Sequence, residues 1–226
     1  MTGTGRTITV HKAVVGAYAT TASAVTVVPG VRVPRQRSVR DLRGRGGRTP
    51  RRIGFAAGDL VVLSGLPGSG KSTLMRRAVT VVRIDSQDTR ERWAARLPRG
   101  VPYALYRPLV RIAHYVGLRR AMHSGASVVV HDCGTQAWVR RWVIRTARRR
   151  GVAVHLVLLD VPPRAALDGQ RERGRGVSRY AFARHRRAVG ALVTSTERGE
   201  LPEGIESAVL LDRAATDALG GITFRE

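Results

Sequence analysis

The stretch Gly65-Leu66-Pro67-Gly68-Ser69-Gly70-Lys71-Ser72-Thr73 decides the fold. It matches G-x-x-x-x-G-K-[ST] without a mismatch. The pattern carries meaning only between a buried strand and a helix. Both flanks fit: residues 60–64 form a short apolar run, and residues 71–80 have a helical pattern. Glycines at 65, 68 and 70 let the backbone curl until successive N–H groups face one concavity. The helix that starts there adds the positive end of its dipole. Lys71 has the reach for β- and γ-phosphate oxygens, the Ser72 hydroxyl is a hard ligand suited to Mg²⁺, and Thr73 falls near the α-phosphate. Gly65–Thr73 therefore reads as a site for ATP with Mg²⁺.

Outward from this loop, strand and helix signals alternate. Further strands are expected at 81–85, 127–132, 153–160 and 208–212. Helices are expected at 102–123, 136–150, 163–173 and 180–197, with a short one after 212. The second helix, 102–123, places Leu105, Leu109, Ile112 and Val116 on one face. The strands are apolar on both faces, which implies a parallel sheet covered by helices on either side. The expectation is a P-loop NTPase three-layer α/β sandwich with roughly five parallel strands.

Ligands in such sheets sit beyond the carboxyl ends of the strands. Asp85, Asp88 and Arg90 follow the second strand. Either acid could orient and deprotonate an acceptor hydroxyl, and Arg90 could pair with an anion. Their plainer readings are a turn residue for Asp85 and a helix cap for Asp88. Asp132 closes a Walker-B-like run and is a candidate, with Ser72, to support Mg²⁺. His131 alternates with it and reads as a packed strand residue. Asp160 ends the fourth strand. Beyond the next helix, Arg171-Glu-Arg173-Gly-Arg175-Gly suits a mobile lid whose guanidinium groups, Arg171 and Arg173 above all, neutralise charge on a transferring phosphoryl group.

The chain has 226 residues, 43% hydrophobic, with a formal charge of +24 from 40 basic and 16 acidic residues. An anionic partner is implied, nucleic acid included. Lys12 and Lys71 are the only lysines, so part of the arginine excess reads as genomic composition. Residues 1–58 hold eleven basic residues and one acid, Asp41. They read as a basic, loosely attached extension before a domain at 59–226. Residues 1–28 have only a faint signal-peptide outline, with a threonine-rich middle and no leucine. The single Cys133 excludes an internal disulfide and fits a reducing compartment. No apolar run approaches the ~20 residues that span a bilayer. A cytoplasmic protein without a membrane partner is expected.

Together these residues resemble the P-loop kinases that include polynucleotide kinase of the phage type, zeta toxins and chloramphenicol phosphotransferase, and the bacterial proteins labelled "AAA family ATPase". The resemblance covers about residues 59–212. It implies an ATP-dependent kinase acting on a hydroxyl of a small metabolite or a nucleic-acid end. Lys71 and Ser72 match the phosphate lysine and magnesium serine, Asp132 the acid ending the third strand, Asp160-Val161-Pro162 a turn, and Arg173 the lid arginine. The family's Asp-x-x-Arg aligns Arg90 with its arginine and puts Gln87 where the base belongs. A nucleotide-binding regulator that hydrolyses ATP without transfer is the alternative. No N-K-x-D guanine motif is present.

Overall fold

The computed structural model describes residues 37–98, 100–132, 137–174 and 176–225; of Asp132 only the backbone is described. Residues 1–36, with the leader reading, and Cys133 and Arg175 lie outside them.

Six strands form one parallel sheet: β1 (Ser38–Asp41), β3 (Leu60–Gly65), β4 (Val82–Ile84), β5 (Val128–Asp132), β6 (Val154–Leu159) and β7 (Ser207–Leu211), in the order β1-β7-β6-β3-β5-β4. β3 lies inside, with Leu60 opposite both Val128 and Val154. All residues of β3 and β6 are buried, as expected for strands covered on both faces.

Among the described residues, seven helices connect the strands: α1 (Lys71–Ala78), α2 (Ser86–Ala94), α3 (Tyr103–His123), α4 (Ala137–Arg150), α5 (Pro163–Arg171), α6 (Arg179–Glu197) and α7 (Arg213–Ala218). Alternate strand residues feed two cores. Leu60, Val62, Val130 and Leu156 pack with Leu118 and Met122 of α3, Val143 of α4 and Leu192 of α6. Val61, Leu63, Val129 and Val157 pack with Leu74 and Met75 of α1 and Ala215 of α7. Each such side chain contributes about 1.5–3 kcal/mol by leaving water. The three-layer sandwich expected from the alternation is present.

Three expectations change. The sheet has six strands rather than about five, because β1 adds to the β7 edge. A separate parallel pair joins β2 (Arg52–Ala56) to β8 (Gly221–Arg225) and packs Ile53 and Ile222 into the second core. The ordered fold thus begins well before residue 59. Composition hid this: arginine and glycine dominate 37–52, yet Leu42 and Ile53 are each 1% exposed. Arg43 fastens the segment, its guanidinium meeting Asp41 at 2.7 Å, Asp160 at 2.6 Å and Glu197 at 2.7 Å. Lastly, Leu105, Leu109, Ile112 and Val116 do share a face of α3, but it is the solvent face. The helix buries Tyr106, Val110, Leu118, Ala121 and Met122 instead.

Candidate active site

The phosphate loop joins β3 to α1. Gly68 and Gly70 have φ of 90° and 95°, a region that other residues enter only with strain. Gly68 also faces α5 so closely that a Cβ would overlap the Ala166 carbonyl. From the other side, a Cβ on Gly169 would stand 2.6 Å from the Gly68 carbonyl. Gln170, buried, donates to the Pro67 carbonyl (3.1 Å) and accepts from the Val177 amide (2.9 Å). One side chain therefore ties the loop to both ends of the segment read as a lid. Sequence reading missed Gly169 and Gln170; their partners lie about a hundred residues away.

Lys71 is 4% exposed, and its Nζ donates to the carbonyls of Gly65 (2.8 Å) and Leu66 (2.6 Å). α1 starts at Gly70 with no side-chain cap, so its first amides are open to an anion. Ser69 and Ser72 are buried and Thr73 is exposed. Arg213, at the start of α7, brings Nη1 to 3.5 Å from where a Gly70 Cβ would be, a second contact that sequence reading missed.

Asp85 stands between this loop and the next cavity. Its side chain caps α2, with Oδ1 accepting from the Gln87 amide at 2.9 Å. The same oxygen lies 2.9 Å from His131 Nδ1. Burial would push the carboxyl up. The hydrogen bond and charge of His131, the nearby Ser72 hydroxyl and the Gln87 amide outweigh it and hold Asp85 well below the usual carboxylate range. Oδ2 is buried and has no partner of good hydrogen-bond geometry; nor does Ser64 Oγ, whose residue stands opposite Asp132 in the sheet. The buried carboxylate oxygen of Asp85 near the Ser72 hydroxyl is, like it, a hard donor of the kind that suits a magnesium ion.

The other expected residues are distributed differently. Asp88 pairs with Arg83 (3.3 Å) and Arg76 (3.7 Å). Gln87 donates its side-chain amide to Glu91 (2.8 Å). Asp160 is held by Arg43. Arg171 meets Asp168 at 2.8 Å, and Arg173 is exposed on the turn after α5. The Asp132 side chain lies outside what is described. Arg90 lies over the Tyr103 ring, its Cζ 3.9 Å from the ring centre. His131, read as a packing residue, is instead bonded to Asp85 and lines a cavity beside it. Its signal was its place next to Asp132, at the end where ligands bind.

The parallel sheet and its glycine loop define a P-loop NTPase fold. Residues 60–193 match the AAA domain family AAA_33, and the chain belongs to that family. Among solved structures it is similar to one from the PezAT chromosomal toxin-antitoxin system of Streptococcus pneumoniae: TM-score 0.50, 16% identity, covering 68% of this chain and 66% of that one, just under two thirds. It is also similar to a gluconokinase from Sinorhizobium meliloti: TM-score 0.39, 17% identity, covering 73% and 93%. No curated protein matches the chain. Among the described residues, no helix is long and apolar enough to cross a membrane.

Proposed function

We propose that the protein is an ATP-dependent phosphotransferase that moves the γ-phosphoryl group to a hydroxyl of an acceptor. The observation that carries this reading is the position of Asp85: ionised, beside Ser72 of the phosphate loop, and bonded to a histidine that lines a second cavity. Hydrolysis alone would need no such second cavity.

Lys71 and the first amides of α1 bind the β- and γ-phosphates, with Arg213 adding charge next to Gly70. Ser72 and Asp132 would hold Mg²⁺, which when bound neutralises charge on the phosphate oxygens. The acceptor oxygen forms a bond to the γ-phosphorus while the bond from that phosphorus to the β–γ bridging oxygen breaks, and ADP leaves. The hydroxyl proton passes to the Asp85–His131 pair. A carboxylate held this far down is a weak base, which suffices because the loose transition state asks little of it. Asp88, engaged by two arginines, is the poorer candidate. Arg90 orients the acceptor. Arg173, with Arg171, closes over the triphosphate, and Gln170 holds the lid to the loop. The cytoplasm, where ATP is plentiful, is the expected location.

The alternative, a regulator that hydrolyses ATP slowly, is favoured by Gln87 at the base position, tied to Glu91. Incubation with γ-labelled ATP and a panel of small alcohols and 5′-hydroxyl oligonucleotides separates the two. Label reaching an acceptor, and lost in Lys71→Ala, supports transfer. Free phosphate alone, whatever the acceptor, supports the regulator.

A further inference from the structure

Two cavities flank α2, and their arginines differ in one respect. The larger, about 530 Å³, is lined by Arg76, Arg83 and Arg92 together with the carboxylates Asp85, Asp88 and Glu91. Its charges answer one another, with Asp88 held by both Arg83 and Arg76. The smaller, about 360 Å³, is lined by Arg90, Arg107, Arg111 and Arg184, from α2, α3 and α6, with no carboxylate among the described residues of its wall. Among the described residues none of these four arginines has an acidic partner, and Arg90 instead lies over the Tyr103 ring. The first residues of α2, Ser86 and Gln87, also face this cavity, with the Gln87 amide given to Asp85. His131 and His114 complete the wall beside Asp85.

Four guanidinium groups without counter-charges, converging from three helices on one small volume, repel each other in the absence of an anion. Guanidinium forks match the oxygens of phosphate groups, two donors to two acceptors. The volume is at the low end for small-molecule sites, too small to hold more than a compact molecule.

We propose that this cavity is the acceptor site and that it selects a small hydroxyl compound already carrying a phosphate monoester, rather than a neutral alcohol or sugar or the end of a nucleic-acid strand. The phosphate lies among Arg90, Arg107, Arg111 and Arg184, and the free hydroxyl faces the Asp85–His131 pair. Calling the occupant an acceptor rests on the phosphotransfer reading; the preference for a phosphate ester does not.

The test is calorimetry on the full chain with Mg²⁺ and saturating non-hydrolysable ATP analogue, which fills the phosphate loop. Glycerol 3-phosphate and ribose 5-phosphate are titrated against glycerol and ribose. The phosphorylated probes should bind at least about tenfold tighter than their neutral counterparts, the scale of one charge-assisted contact. Arg107→Gln/Arg111→Gln should erase that preference, and so should Arg184→Gln, which changes a different helix. Arg186→Gln/Arg187→Gln, on α6 outside the wall, should keep it; thermal melts establish that each variant folds. Equal binding of charged and neutral probes overturns the proposal. So does a preference that survives both wall variants, or tight binding confined to a 5′-hydroxyl oligonucleotide. In Lys71→Ala the phosphate esters should still bind. If they do while wild-type protein passes no label from γ-labelled ATP to them, the cavity stands and the transferase reading falls. If they do not, the phosphate loop was the binder and the cavity assignment falls.

Discussion

The phosphate loop and the cavity beyond Asp85 are built by different means. The loop is made of backbone: curled amides, three glycines at positive φ and one buried ammonium, wedged against α5 with no room for a methyl group. The cavity is made of side chains, mostly arginine and histidine, from helices that share no local sequence relation. A backbone site is rigid and indifferent to what lies beyond the phosphates. A side-chain site is adaptable and sets which molecule enters. Asp85 touches both, through Ser72 on one side and His131 on the other. In the proposed function, nucleotide affinity belongs to one region and acceptor choice to the other.

The strongest way to break this division is Lys71→Ala. Removing the loop ammonium should reduce ATP turnover by about 10²–10³-fold, the scale of losing one preorganised charge-stabilising donor. Unchanged turnover, followed by release of labelled phosphate, would take the loop out of the reaction.

Gly68→Ala tests rigidity. A methyl group there meets the Ala166 carbonyl and a φ of 90° together, so urea unfolding should show a loss of about 2–4 kcal/mol. Gly190→Ala, in the interior of α6 with open space around it, should instead gain about 0.5–1 kcal/mol. Equal effects at the two sites would mean that the loop is not wedged.

His114 tests the electrostatics of the cavity wall. Burial, helped by the charge of His131 and opposed by Asp85, pushes its pKa down from 6.5 to about 4. The unfolded chain then binds a proton that the folded chain refuses between those values, so stability rises with pH across this window. The contribution is complete above pH 6.5 and lost as pH falls toward 4, at most about 3 kcal/mol. Denaturant midpoints from pH 4 to 7 should slope upward in wild-type protein and flatten in His114→Gln. Parallel curves would show that the histidine is not in a desolvated wall.

Asp85→Asn sharpens the comparison, because this residue belongs to both regions. It should weaken Mg²⁺-dependent ATP turnover and binding of a phosphate ester together, each by about 10–100-fold, as for loss of a group that orients a ligand. Asp88→Asn, which breaks only partly exposed pairs, should change either by less than about fivefold. Should Asp88 prove the more sensitive in steady-state kinetics, the assignment of the working acid reverses.

How legible each part was follows from how far its contacts reach along the chain. The loop was readable because turn geometry needs glycine at fixed neighbouring positions. Asp85 was readable as a strand-end acid, but its plain reading was a turn residue; the cap expected of Asp88 is made by Asp85 instead. His131 was misread because alternation along a strand reveals which face a residue takes, not that Asp85, 46 residues away, waits on that face. Asp160 was placed correctly at a strand end, but its carboxylate serves Arg43, in a segment whose composition suggested no fold. Arginine is so common that Arg107 and Arg184 could not be told from surface charge. Arg150, equally anonymous in a run of basic residues, donates to the carbonyls of Gly58, Met122, Gly125 and Ala126 and so binds two turns together.

The apolar stripe of α3 shows the same limit. Its spacing announced a helix and was right about that; only packing determined that Tyr106 and Val110 turn inward while Leu105 and Ile112, 72% and 61% exposed, face water.

By itself the sequence determined the class of fold and the phosphate site, because strand alternation and a glycine curl are set by interactions among near neighbours. Tertiary structure alone decided that β1 and β2 belong to the fold, that His131 meets Asp85, and that four arginines from three helices share one unpaired cavity. Those are relations between distant segments. Their energy comes from burial and charge at positions that exist only once the sheet has assembled.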